Sequence, residues 1–452
     1  MPLFDTHVAA VLMRLDRNSF HHGTLGAARS LGRAGIPVHA VVGTPAGPVA
    51  RSRYVSRRHQ PAAGRDLAAV RRTLVQVSEA LAGGPAVLVA LDDITAVSLD
   101  RLRAEGPRGP AARFLLPEPP PGLCERVADK AELAETCRLL GVPHPRTLAP
   151  SDPDEAAAMA LELGLPVVAK WSRPWLLPVG AGLRGTTVAR SVRRVRELYA
   201  RGAGAGSRLL LQRMLPGGRD LDWFFHAYCD SSGRCRVAAT GWKVRSWPDG
   251  AGPTAVGTWT PNPVVERMAR DLVGALGYRG IADLDFRLDP VTGTYHLLDF
   301  DPRPGAQFRL FSDPWGLDVV RALHLDLTGR PVPEAVPVYG RRFVVENHAA
   351  LSVLTSPRPR LRGPSSGRSG GSGPWSGLET AWFAADDPAP AAAMVRTWAA
   401  HLARRAWAAL RRRWRGRATE ASEPPATAVP DPAAPNLPSP SPSAPSSPSP
   451  RR

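Results

Sequence analysis

GIADLDFRLDPVTGTYHLLDFDPR, residues 280–303, carries the reading on which the fold turns. Asp289 to Gly293 form a turn, and alternating apolar residues flank it on both sides, which predicts a β-hairpin. Side chains two apart on a strand share a face, so Asp283 and Asp285 point together, as do Asp299 and Asp301. Pairing across the turn brings Asp285 near Asp299 in an apolar frame of Leu284, Phe286, Leu288, Leu297, Leu298 and Phe300. Carboxylates crowded into such a frame are costly unless a cation compensates them. Mg2+, a hard ion, suits carboxylate oxygens. Arg303, two residues beyond Asp301, points the same way and can hold a phosphate bidentately. Solvent-facing acids on an exposed sheet are the equal alternative on spacing alone.

Outward from this hairpin, the 58 basic residues include only three lysines, Lys130, Lys170 and Lys243. A chain that uses Arg nearly everywhere keeps Lys where a compact ammonium is needed and a planar guanidinium does not fit; chance survival is the plain alternative. Lys170 ends the apolar strand PVVAK, and the Gly/Pro-rich loop after it can lie over phosphates with its amides turned inward. Lys130 opens the helix DKAELAETCRLLG, where anions are favoured. Singly, each lysine reads more simply as a surface residue. LLLQRML runs into a crossing segment, with Pro-Gly-Gly next, whose backbone can read an adenine edge. Asp220 lies just beyond, placed for ribose hydroxyls. An ordinary strand–turn–strand is the simpler reading of that piece alone.

The N-terminal part alternates strand and helix. A strand in 7–15, a turn at Gly23, a helix to Arg33 and a strand IPVHAVVG make a βαβ start without a G-x-G-x-x-G turn. A helix at 67–82 and a strand at 86–93 continue an open α/β domain to the Pro run 117–121. A second α/β region follows, with long antiparallel strands in WFFHAYCD and RVAATGWKVR and an amphipathic helix in ERMARDLVGALGY. The loop at 357–373 reads as flexible. Val395, Trp398, Leu402, Ala406, Leu410 and Trp414 mark a basic amphipathic helix over 391–416.

Together these segments resemble the ATP-grasp superfamily, in particular its carboxylate–amine ligases such as the D-aspartate ligases and the carbamoyl-phosphate-synthase-like proteins. The resemblance spans about residues 7–330, and the order and spacing of the segments carry it. It implies an α/β (α+β grasp) architecture: a Rossmann-like domain over 1–122, an ATP-grasp domain with antiparallel sheets over 123–332 (small lobe about 123–210, large lobe about 211–332), an extension over 333–390, the basic helix over 391–417 and a disordered Pro/Ser-rich tail over 418–452. By position, Lys130 and Lys170 would contact ATP phosphates, and Gln212, Arg213, Met214 and Leu215 would line the adenine pocket. Asp220 would hold the ribose, and Asp285, Asp299 and Asp301 would bind Mg2+ or Mn2+. Lys243, Arg245 and Arg303 would face the transferred phosphoryl group. All three lysines thus fall on motif positions. The family commonly has Glu at 285 and 299 and Asn at 301. The implied reaction activates a carboxylate as an acyl phosphate, then forms an amide with an amine.

The formal charge is +18, but ten Arg against three acids after residue 390 account for much of it, outside the body of the chain. That placement argues against a specific nucleic-acid partner; the partners expected are small carboxylates and amines. The rival readings are peripheral membrane contact through 391–416 by a non-enzymatic protein, a weakly active ATP-grasp protein, and ATP-grasp chemistry of another kind. Cys124, Cys137, Cys229 and Cys235 show no metal-like or redox-like spacing and read as reduced thiols. The N-terminus shows no secretory pattern, and no apolar run is long enough to span a membrane, which points to the cytoplasm.

Overall fold

The structure is a computed structural model of the chain. It describes residues 4–16, 18–44, 47–81, 84–178, 180, 182–202, 204–218, 220–248, 252–355 and 377–420. The described residues up to Thr397 form one compact unit, and those from Trp398 to Glu420 belong to a second.

Five parallel strands come first: β1 (Ala10–Met13), β2 (Val38–Val41), β3 (Arg57–His59), β4 (Ala86–Ala90) and β5 (Phe114–Leu115), ordered β3-β2-β1-β4-β5. The central strands are short apolar runs because both faces are covered. α1 (His22–Arg33) covers one face through Ala27, Ala28 and Leu31. α2 (Leu67–Ala80) and α3 (Asp93–Arg103) cover the other through Val70, Leu74, Leu99 and Leu102. Gly23, expected as the turn before α1, lies inside its first turn instead. A Cβ there would stand 2.9 Å from the Cα of Ala306, so glycine is needed for close approach.

α4 (Leu123–Ala128) and α5 (Lys130–Leu140) lead to a four-stranded antiparallel sheet of β6 (Thr147–Leu148), β7 (Val167–Trp171), β8 (Thr186–Ala189) and β9 (Leu209–Arg213), ordered β6-β9-β7-β8. α6 (Pro153–Leu163) and α7 (Val192–Gly202) pack on one face, where Ala156, Ala160, Val195 and Leu198 meet Val167, Ala169, Trp171, Leu209 and Leu211. The alternating residues Val168, Lys170, Leu210 and Gln212 therefore point from the opposite face.

The third sheet has seven strands: β10 (Asp222–Cys229), β11 (Cys235–Ser246), β12 (Thr254–Trp259), β13 (Gly280–Asp289), β14 (Thr294–Asp301), β15 (Arg342–Val344) and β16 (Leu378–Thr380). Their order is β14-β13-β10-β11-β12-β15-β16. α8 (Pro263–Ala275), α4 and α5 cover one face, with Leu123, Leu133, Ala269 and Leu272 against Ala282, Leu284, Phe286, Leu297 and Phe300. α9 (Val319–Leu327) joins this sheet to the parallel one, since Val319, Val320 and Leu323 share a core with Ala10, Leu12, Tyr228 and Ile281. The sheet runs past the boundary expected at 332, because β15 pairs with β12, and β16 with β15.

The hairpin β13–β14 forms as its sequence predicts, closed by Gly293 N donating to Asp289 O at 2.8 Å. Its register is irregular at one point. Asp285 pairs with Asp299 but Phe286 pairs with Leu297, so Leu298 is an extra residue. This β-bulge keeps Leu297 and Phe300 both in the core although their spacing breaks strict alternation.

Cys229 and Cys235, which the sequence reading left unrelated, are cross-strand partners with sulfurs 2.9 Å apart; both are free thiols, as are Cys124 and Cys137. α10 (Glu346–Thr355) and α11 (Ala389–Glu420) complete the described elements. The basic helix expected over 391–416 lies within α11, but Val395 is exposed, and Pro390, Ala393 and Met394 are buried in its first turns. The loop expected at 357–373 lies outside the described residues, as does the tail expected over 418–452 from residue 421 on, while residues 418–420 continue α11. Among the described residues, no helix is long and apolar enough to cross a membrane.

Candidate active site

The helix-free face of the four-stranded sheet and the Asp-bearing face of the seven-stranded sheet meet along β14. Asp129 caps α5, its Oδ1 accepting the Ala131 and Glu132 amides while Oδ2 accepts Arg173 Nε at 2.7 Å. The cap sets the next residue, Lys130, at the helix start, where its own amide donates to Ser172 O at 2.8 Å. The Lys130 ammonium forms an ion pair with Asp299 and lies 3.8 Å from Asp301. Lys170, from β7, donates to the carbonyl of the bulged Leu298 at 2.7 Å. Two lysines 40 positions apart thus reach β14 within residues 298–301.

Lys243, on β11, donates to Asp285 at 2.9 Å. Arg303 donates to Asp301 at 2.9 Å and to Asp93 at 2.7 Å. Behind them, His226 Nε2 lies 2.7 Å from Asp283 Oδ1. Asp222 and Arg287 form a bidentate pair at 2.6 and 3.0 Å on the same face. Gly305 closes over the His226–Asp283 pair; a Cβ there would collide with Asp283 Oδ2 and His226 Cε1.

Crowding shifts the titrations. Burial, with the nearby Lys130 charge, pushes the Lys170 ammonium down to about 7, against the pull of Asp285 and Asp301. Burial raises Asp301 to about 6 despite Arg303, with Asp93 and Asp283 adding to the rise. For Lys243, burial acts downward but Asp285 and Asp222 raise it overall. Asp93 is raised by burial yet ends below the usual carboxylate range because Arg303 and Lys130 face it. A buried ammonium held this weakly is a group that an anion would stabilise in its charged form.

Lys130, Lys170, Asp299, Asp301 and Arg303 come together, with Lys243 and Asp285 beside them. Gln212 is buried on the Lys170 face and donates to Thr147 Oγ1 at 3.0 Å. Met214 is half-buried and Leu215 buried, just past the end of β9. Asp220 is exposed in the left-handed region at φ 64°, and its carbonyl accepts Trp223 Nε1 at 3.1 Å. Arg245 is half-buried beyond a bulge in β11. Arg213 is set apart: it pairs in register with Val167, on the helix-covered face, and its guanidinium reaches Asp289 of the hairpin turn at 3.3 Å.

Among the described residues, no three His, Cys, Asp or Glu side chains are grouped to hold a metal ion. Each carboxylate of the trio is taken by its own cation: Asp285 by Lys243, Asp299 by Lys130 and Asp301 by Arg303. The donor chemistry nonetheless fits a hard cation. Asp285 and Asp299 are register partners on one face, and their side chains are 34% and 32% exposed.

Sequence reasoning did not single out Asp93 or the His226–Asp283 pair. Asp93 ends the run LVALDD, where a strand of the parallel sheet gives way to a helix, the usual place for a ligand-facing group. His226 alternates in phase with Phe224 and Asp222, so its face followed from the period of two.

No family model matches the sequence. Solved structures do. The biotin carboxylase domain of Hydrogenobacter thermophilus 2-oxoglutarate carboxylase, in complex with MgADP, ADP and bicarbonate, is similar at TM-score 0.55 and 16% identity over 74% of this chain and 73% of that one. Staphylococcus aureus N5-carboxyaminoimidazole synthetase with ADP is similar at TM-score 0.54 and 11% identity over 74% and 80% of the two chains. Campylobacter jejuni biotin carboxylase gives TM-score 0.52 and 14% identity over 72% of each. With a parallel sheet followed by an antiparallel sheet and a mainly antiparallel one, joined where Lys130 and Lys170 reach β14, this chain has the ATP-grasp fold.

Proposed function

We propose that this protein is an ADP-forming ligase that uses ATP to join a carboxylate to an amine. The observation that carries the reading is the convergence of Lys130 and Lys170 on β14 beside the register-paired Asp285 and Asp299. The ATP-bound and ADP-bound structures that this chain is similar to support it.

Lys130 and Lys170 neutralise the nucleotide phosphates. Gln212, Met214 and Leu215, on and just past β9, offer an adenine edge, and Asp220 the ribose contact. Asp285 and Asp299, with Asp301 beside them, are the residues that would hold Mg2+ or Mn2+, which supplies charge neutralisation at the transferring phosphoryl group. Lys130 then leaves Asp299 for the phosphate. A substrate carboxylate oxygen attacks the γ-phosphorus; the bond to the bridging oxygen breaks and ADP departs. Lys243 and Arg303 face the acyl phosphate, with Arg245 further along β11. The amine nitrogen attacks the acyl carbon, loses a proton, and phosphate leaves with the C–O electron pair. In-line positioning and preorganised charge do the catalytic work, with no covalent enzyme intermediate.

The test is ADP release by the purified chain against amino acids, dipeptides, small carboxylates and bicarbonate, with Mg2+ present or withheld. Bicarbonate belongs in the panel because one similar structure holds it with MgADP. Mg2+-dependent ADP release that requires both a carboxylate and an amine supports the ligase; release with a carboxylate and no amine points to another phosphotransfer reaction.

A further inference from the structure

We propose that a cavity at the C-terminal end of α1, away from the candidate nucleotide site, binds a small polyanion carrying phosphate or carboxylate groups. The cavity is about 300 Å³ and is lined by Arg33, Arg309, Arg321 and Arg341, with Glu379 and Asp313 the acids in its wall. Arg309 and Arg321 are only 8% and 5% exposed.

The carboxylates here do not match the guanidinium groups. Glu379 is shared, accepting from Arg309 Nε at 2.7 Å and from Arg341 at 2.8 Å. Asp313 Oδ1 is used by the Trp315 and Leu317 amides at 2.9 and 2.7 Å. Arg33, in the wall, is paired with Asp386, which is not a lining residue. Arg321 donates to two carbonyls, Ser30 O at 2.9 Å and Trp315 O at 3.2 Å, and among the described residues it has no ion pair with a carboxylate. Burial and the charges of Arg309 and Arg33 hold Arg321 below the ordinary range of a guanidinium, despite Asp318. Arg341 is lowered in the same way, by burial and Arg309 against Glu379.

The backbone makes room for these groups. Gly316 sits at φ 80°, and a Cβ there would collide with the Arg321 guanidinium. A Cβ at Gly26 of α1 would stand 3.0 Å from Arg309 Cδ. Guanidinium forks beside an open cavity suit planar carboxylates and phosphates, and a bound anion would relieve their mutual repulsion. α1 has 12 residues, and at ~1.5 Å per residue that is about 18 Å. Its His21 end lies toward Arg303, and its Arg33 end opens on this cavity.

The probe is pyrophosphate, with citrate as the carboxylate arm. Each is titrated calorimetrically into the full chain carrying Lys130→Met and Lys170→Met, so that the candidate nucleotide site does not contribute. One-site saturable binding is expected. Adding Arg33→Met and Arg341→Met should weaken it at least tenfold, and Arg341→Lys alone several-fold, because Lys keeps the charge and loses the fork. Should the double arginine variant fail to fold by circular dichroism, Arg341→Lys decides. Binding that disappears with the lysine substitutions, or that survives the arginine substitutions unchanged, overturns the proposal. Preference for pyrophosphate or for citrate identifies which anion class the cavity takes.

Discussion

Asp285 and Asp299 are register partners on neighbouring antiparallel strands and leave the sheet on the same side, each beneath a different lysine. Their side chains are about a third exposed, so neither is needed to fill the core. Asp299→Ala should therefore lower ADP release at least ~100-fold, the scale of losing a preorganised electrostatic group. Its Tm should stay within a few degrees of wild type, as expected for a surface-facing truncation. Unchanged turnover in this variant would remove Asp299 from the proposed metal site.

Lys170 is buried, as is Lys130, but where Lys130 has a carboxylate partner the Lys170 ammonium has, among the described residues, one hydrogen-bond acceptor, the Leu298 carbonyl. A guanidinium is wider and cannot turn its donors around a single axis. Lys170→Arg should thus be nearly as damaging as Lys170→Met, with ADP release down ~100-fold in both. Steady-state kinetics checks this, and a fully active Lys170→Arg would leave the scarcity of lysine in this chain without a physical reason.

Gly305 lies where the loop after β14 crosses the His226–Asp283 pair. An added methyl must displace Asp283, which burial pushes upward and the charge of His226 brings below the usual carboxylate range. Gly305→Ala should cost about 1–3 kcal/mol of stability, the usual size of an overpacking defect. Thermal unfolding measures the cost, and kinetics should show activity falling with it, because Asp283 neighbours Asp285 in the strand.

Most of the fold was legible because local patterns and tertiary packing agree. Period-two alternation around Asp289–Gly293 placed both Asp pairs, and PVVAK and DKAELAETC placed two lysines at element ends. What was not legible depended on contacts between distant segments. Arg213 follows Gln212 directly, so the hinge pattern included both; the pleat sends them to opposite faces, and Arg213 goes to Asp289. Asp93 acquires a role only when Arg303, 210 positions away, folds against it. The extension of the sheet by β15 and β16 was hidden for a different reason: three-residue strands carry too little periodicity to read.

His22 predicts acid sensitivity. It is buried against Phe343 and Trp382, and burial pushes its imidazole down to about 3, with His348 adding to the shift. The unfolded chain binds this proton near pH 6.5 and the folded chain does not, so stability present above pH 6.5 is lost as pH falls toward 3. His59 and His144, each lowered to about 4 mainly by burial, act in the same sense. Tm should fall steeply below pH 6, and His22→Gln, which cannot titrate, should flatten that slope while lowering Tm at pH 7. A slope identical to wild type would mean that His22 is already protonated in the folded state.

Leu298 separates the fold from the chemistry most cleanly. It is the extra residue of the bulge, so deleting it leaves Asp285 opposite Asp299 and Phe286 opposite Leu297. Leu297 and Phe300 then keep their buried positions in strict alternation, and the hairpin loses only the inserted unit. What disappears is the carbonyl that receives the Lys170 ammonium. A chain lacking Leu298 should therefore fold, with Tm lowered by only a few degrees, while ADP release falls by ~100-fold, as for Lys170→Met. Calorimetry and the ADP assay together decide between outcomes. An unfolded product would mean that the bulge is needed for sheet twist, and an active one would mean that Lys170 finds the phosphates without help from β14.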